Sequence, residues 1–130
     1  MNEILIPISP GELLDKITIL QIKVERITDP AKVANVKTEL ELLSKVWDES
    51  VESDDVITAL SAELKSINET LWEIEDDIRA EERNRRFGER FIELARAVYV
   101  TNDKRADAKK RANLHLNSTI VEEKSYQDYQ

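Results

Sequence analysis

A chain of 130 residues, 41% hydrophobic and 35% charged, with two glycines and three prolines, can bury one core and is neither disordered nor turn-rich. It has no cysteine, which excludes disulfides and thiolate chemistry, and its single histidine, His115, excludes a His-rich metal site. The net charge of -8 argues against non-specific nucleic-acid binding, because neutralising phosphates takes a basic surface.

At the amino terminus Ile4, Ile6 and Ile8 alternate as in a short strand. This apolar run is too short for a signal peptide and no later stretch can span a bilayer, so a cytoplasmic protein without membrane insertion is expected. Ser9-Pro10-Gly11-Glu12 announces the first helix, over about 10–28. Ser9 caps it, Pro10 fits its first position and Glu12 completes a capping box. Leu13, Ile17, Leu20, Val24 and Ile27 form its seam. Asp29-Pro30 repeats the punctuation, ending one helix and capping the next, which runs over about 30–48 with Val33, Val36, Leu40, Leu43 and Trp47 on one face. So short a connection implies an antiparallel hairpin.

After a polar link in which Ser53 or Asp54 can cap, the third helix spans about 54–84. Its seam, Ile57, Leu60, Leu64, Ile67, Leu71, Ile74 and Ile78, alternates by threes and fours for about 33 Å. Gly88 permits the turn into a fourth helix over 88–115. The tail, 118–130, loses helical periodicity and reads as extended, so the two termini can pair as strands. The expected fold is therefore all-α, a four-helix antiparallel bundle of two hairpins in a single 1–130 domain. Its second hairpin is longer and its termini are extended. Because the third seam outruns the first two helices, its uncovered part is the expected surface of a homo-oligomer, most simply a dimer.

The fourth helix carries the most informative change. Phe87, Phe91, Leu94, Ala95 and Val98 recur at helical spacing, and the same stripe continues as Asn102, Arg105 and Lys109. A buried stripe that turns polar means a solvated end, a helix break or a built polar site. Seven acids against one base lie in 69–82, and five bases against two acids in 103–113, so the two segments are expected to face each other. Arg105 would then reach Glu69, Glu73 or Glu75. Asn68, Trp72, Glu75 and Arg79 on the third helix, with Arg96, Tyr99, Asn102, Asp103, Arg105 and Lys109 on the fourth, would form a pocket for a partner or small anion. Arg105 and Lys109 supply its charge, and Trp72 and Tyr99 its walls. A plainer alternative has Asn102 or Asp103 capping a separate last helix, with Arg105 merely fixing the register. A third reading is a magnesium-dependent hydrolase, since Glu73 and Asp76, and upstream Glu49 and Glu52, echo the ExxE and ExxD pattern of all-helical nucleotide pyrophosphohydrolases. Apart from that magnesium no cofactor is expected.

Four phrases, SPGELLDKITILQIKVERI (9–27), LWEIEDDIR (71–79), FIELARAVYVTNDKRADAKKRAN (91–113) and EEKSYQDY (122–129), resemble a family of short bacterial and phage helical proteins without an assigned activity. The resemblance implies a stand-alone domain and no particular chemistry.

Overall fold

The computed structural model describes residues 2–130. Its helices are α1 (Pro10–Arg26), α2 (Pro30–Ser50), α3 (Asp55–Arg83) and α4 (Glu89–His115), with no strand among the described residues. The architecture is an all-α bundle. Ser9 accepts from the Glu12 N–H at 3.2 Å, Asp29 from that of Ala31 at 3.0 Å and Asp54 from that of Ile57 at 2.9 Å, so side-chain oxygens satisfy otherwise orphaned donors at three helix starts. At the fourth start Gly88 offers no side chain.

α3 and α4 form an antiparallel hairpin, as the pairs Asp54–His115, Glu63–Arg111 and Asp77–Arg90 show. α1 lies antiparallel to α4 and packs against all three other helices, which makes it the central element. α2 packs on α1 alone. The arrangement therefore departs from two hairpins closing face to face: most of the α2 seam is half-buried, and only Trp47 enters the core. That core gathers Leu13, Leu14 and Ile17 of α1, Trp47 of α2, Ile57, Leu60 and Leu64 of α3, and Ala108 and Ala112 of α4. Each such leucine or isoleucine contributes roughly 1.5–3 kcal/mol through water excluded from its side chain.

Two sequence expectations fail here. The α3 seam leaves no bare stripe for self-association, because α1 and α4 bury Ile57, Leu60, Leu64 and Ile74 and half-bury Ile67, Leu71 and Ile78. The termini do not pair: no backbone hydrogen bond joins them among the described residues, and Ile4, Leu5 and Ile6 are exposed.

The α3–α4 turn is made by Arg85, not Gly88. Arg85 lies at φ 51° while Gly88 lies at φ -85°, and the Arg86 N–H donates to the Glu81 carbonyl as the Arg85 N–H does to Glu82. This double closure is the Schellman arrangement, in which the left-handed residue is ordinarily glycine. α4 closes the same way with Asn117 at φ 54°. Arginine has a Cβ that the left-handed region penalises, so Arg85→Gly is expected to raise stability by about 1 kcal/mol, read as a higher denaturation midpoint. An unchanged or lower midpoint would refute it.

Candidate functional site

Beside its apolar seam, α1 carries a second stripe, Gly11, Asp15, Thr18 and Ile22, spaced by four, three and four residues and turned toward α3 and α4. Asp15 and Thr18 are wholly buried. An ionised carboxylate there needs charge and donors around it. Arg105 of α4 supplies both: its Nε donates to Asp15 Oδ1 at 2.9 Å and its Nη2 to Asp15 Oδ2. Asn68 of α3 completes the shell, its Nδ2 donating to Asp15 Oδ1 at 2.9 Å and to Thr18 Oγ1 at 3.1 Å, while the Thr18 hydroxyl donates to the Asp15 carbonyl. The fork-on-carboxylate geometry holds the Arg105 guanidinium more firmly protonated than usual, chiefly through Asp15 and against the cost of its burial.

One turn further along, the Lys109 ammonium lies 2.6 Å from Glu12 of α1 and 2.9 Å from Glu122 of the tail. Burial pulls its pKa down, but the two carboxylates more than offset this and hold it above its ordinary value. Two turns from Arg105, the Gly11 N–H donates to Asn113 Oδ1 at 2.7 Å. Small residues permit the close approach: Ala108 and Ala112 are fully enclosed, and a Cβ on Gly11 would stand 2.3 Å from the Lys109 carbonyl oxygen. The polar half of the α4 stripe is thus neither a solvated end nor a break. It is a largely buried network on one continuous helix, in which no buried side-chain polar atom lacks a partner among the described residues.

The tail closes over this network. Glu123 meets Lys110 at 3.3 Å, Lys124 meets Asp103 at 2.8 Å, and the Tyr129 ring packs edge-on against Tyr99 at 5.0 Å. Lys124 and the Tyr129 hydroxyl hold the Asp103 carboxyl below the usual carboxylate range. Between α4 and the tail is a cavity of about 520 Å³ lined by Asn102, Arg105, Lys109, Glu122, Lys124 and Tyr126, among others. Arg105 Nη1 has no protein acceptor among the described residues, and the Arg105 side chain keeps 30% of its surface exposed beside that space.

The residues singled out from sequence are divided by the fold. Asn102, Arg105 and Lys109 share the cavity, and Asn68 joins Arg105 from the buried side through Asp15. Tyr99 and Asp103 face the tail. Glu75 and Arg79 pair with each other at 3.1 Å on an exposed face, Arg96 is exposed, and the half-buried Trp72 does not line the cavity. Arg105 does not reach Glu69, Glu73 or Glu75. In the antiparallel hairpin the acid-rich stretch 69–82 lies opposite the first half of α4, so Glu69 and Glu73 meet Arg26 of α1 and Asp77 meets Arg90. Arg105, Lys109 and Lys110 find their acids on α1 and the tail instead, and Arg111 meets Glu63 of α3, outside the acid-rich stretch. Asp15 is the residue that sequence reasoning missed, and the four-three-four spacing of Gly11, Asp15, Thr18 and Ile22 was the signal that could have found it; Glu12, read only as a capping residue, is the acid that meets Lys109.

The metal reading gains no geometry. Glu73 is engaged by Arg26, Asp76 is exposed, Glu49 lies on the last turn of α2 and Glu52 in the link that follows. No group of three acidic or imidazole side chains is placed to hold a metal ion among the described residues.

Fold and network together define a small all-helical protein built around a buried Asp–Arg–Asn cluster beneath a C-terminal strap. A model of a family of unknown function, DUF6165, matches residues 4–129, and the chain belongs to that family. No curated protein and no solved structure matches it. No helix is long and apolar enough to cross a membrane among the described residues.

Proposed function

We propose that this protein is a binding or accessory protein whose cavity between α4 and the tail takes a small anion. The observation that carries the reading is Arg105. Asp15, itself held by Asn68, fixes its guanidinium from behind through two of its nitrogens, and its third, Nη1, remains available beside the cavity with Lys109 and Lys124 close by. A guanidinium held this way loses little side-chain entropy on meeting a ligand, since its rotamer is already set by the buried carboxylate. Asn102 adds a neutral amide and Tyr126 an aromatic ring along the cavity wall, which suits a small polar molecule bearing one or two acidic groups. The reading needs no reacting centre, and the cavity walls present no nucleophile coupled to a base.

Succinate and inorganic phosphate are suitable probes. Titration followed by nitrogen-proton correlation spectra is expected to shift the Asn102 side-chain amide and the Arg105 Nε signal saturably, together with tail amides from 122 to 126. Spectra that stay fixed up to about 10 mM of either anion, weaker than any affinity of consequence here, would overturn the anion site.

A further inference from the structure

We infer that Glu122 is a built-in occupant of the anion site, and that a carboxylate-bearing ligand binds by displacing it and releasing the tail. The inference rests on the anion-binding reading above and names its regulation. The inner cluster holds three carboxylates, Glu12, Asp15 and Glu122, against two cations, Arg105 and Lys109. Glu12 and Asp15 both belong to α1 and cannot leave without unpacking the core. Glu122 is the surplus acid, and it sits on the one segment able to move away.

The manner in which the tail is held supports this. Beyond Ser118, no backbone hydrogen bond ties the tail to a helix among the described residues. Its attachments are side-chain contacts: Glu122 to Lys109, Glu123 to Lys110, Lys124 to Asp103, and Tyr129 to Tyr99 and Asp103. Ion pairs of this kind are individually weak where water reaches them, and Glu122 and Glu123 keep 54% and 73% of their side-chain surface exposed. Lys109 differs, because only 11% of its side chain is exposed and it needs a carboxylate in addition to Glu12 for its charge to be well compensated. An incoming carboxylate restores that compensation at Lys109 and gains Arg105 Nη1, a donor that Glu122 does not use. The ligand carboxylate takes over the charge of Glu122 at Lys109, so the ligand need only outcompete a loosely tethered side chain.

Glu122→Gln tests the inference while preserving the shape of the cavity wall. With succinate as probe, the variant is expected to bind about fivefold more tightly than the native protein, the factor corresponding to one partly exposed ion pair removed as competitor. Nitrogen relaxation should show amides 120–130 gaining fast motion in the free variant and in the succinate-saturated native protein alike. Equal affinities, or a tail that stays ordered when native protein is saturated, would overturn the strap and leave the anion site standing. Weaker binding by the variant would also overturn it, since Glu122 would then be part of the site. Absence of binding by both proteins would remove the anion site and the strap with it.

Discussion

Arg105→Met is expected to destabilise the fold by about 3–5 kcal/mol, because it strands the wholly buried carboxylate of Asp15 with only Asn68 as side-chain donor. Methionine keeps much of the volume and the helical preference of arginine, so the loss is one of charge and hydrogen bonding. The same logic predicts the remedy. Joining it to Asp15→Asn removes both charges, and the double variant should recover a substantial part of the loss, so that it costs less than the two single losses added together. Urea denaturation of the four proteins measures this cycle. Were Arg105→Met to change stability by less than about 1 kcal/mol, the ion pair would be a surface ornament of the kind whose contribution is near zero. The cluster would then hold neither the bundle nor the guanidinium in place.

Gly11→Ala is the second large effect. The added Cβ would meet the Lys109 carbonyl oxygen at 2.3 Å and Asn113 Oδ1 at 2.8 Å, and the first of these belongs to the backbone of a packed helix and cannot swing aside. α1 and α4 must separate, stretching the hydrogen bond from the Gly11 N–H and disturbing the Lys109–Glu12 pair. Overpacking together with a weakened buried hydrogen bond is expected to cost about 2–4 kcal/mol. Gly88→Ala is the matched control, since its Cβ would meet nothing within 4 Å. It should be neutral or slightly stabilising, because alanine narrows the unfolded ensemble. Thermal unfolding of the two variants side by side distinguishes a glycine required by contact from one that merely occupies a turn. Equal midpoints would show that α1 and α4 approach less closely than described.

The sequence-level arguments succeeded where the physics is local. Ser9, Asp29 and Asp54 precede helices because their side-chain oxygens reach N–H groups two or three residues ahead, a distance fixed by chain geometry alone. The α3 seam was legible for the same reason, as side chains three and four residues apart share a helix face whatever they pack against. Gly88 misled because glycine is only permitted, not compelled, to make a turn; the left-handed residue is Arg85, paid for by the two hydrogen bonds of the helix end.

The site divided along the same line. That α4 turns polar on its inward face was written in Asn102, Arg105 and Lys109, but which acids answer them was not. Opposite charges 90 residues apart, as in Asp15 and Arg105, carry no mark of their pairing, because many carboxylates compete on paper and only packing chooses. The expected partners on α3 were nearer in sequence, yet the antiparallel register carries them past α4's basic stretch to Arg26 and Arg90. By itself, then, the sequence determined an all-helical chain, its helix starts and the inward polar turn of α4, all of them consequences of spacing along one strand of backbone. Only the tertiary structure decided that α1 is the central helix, that Asp15 is the buried acid and that Glu122 covers Lys109, because burial and charge partnership are properties of what surrounds a residue.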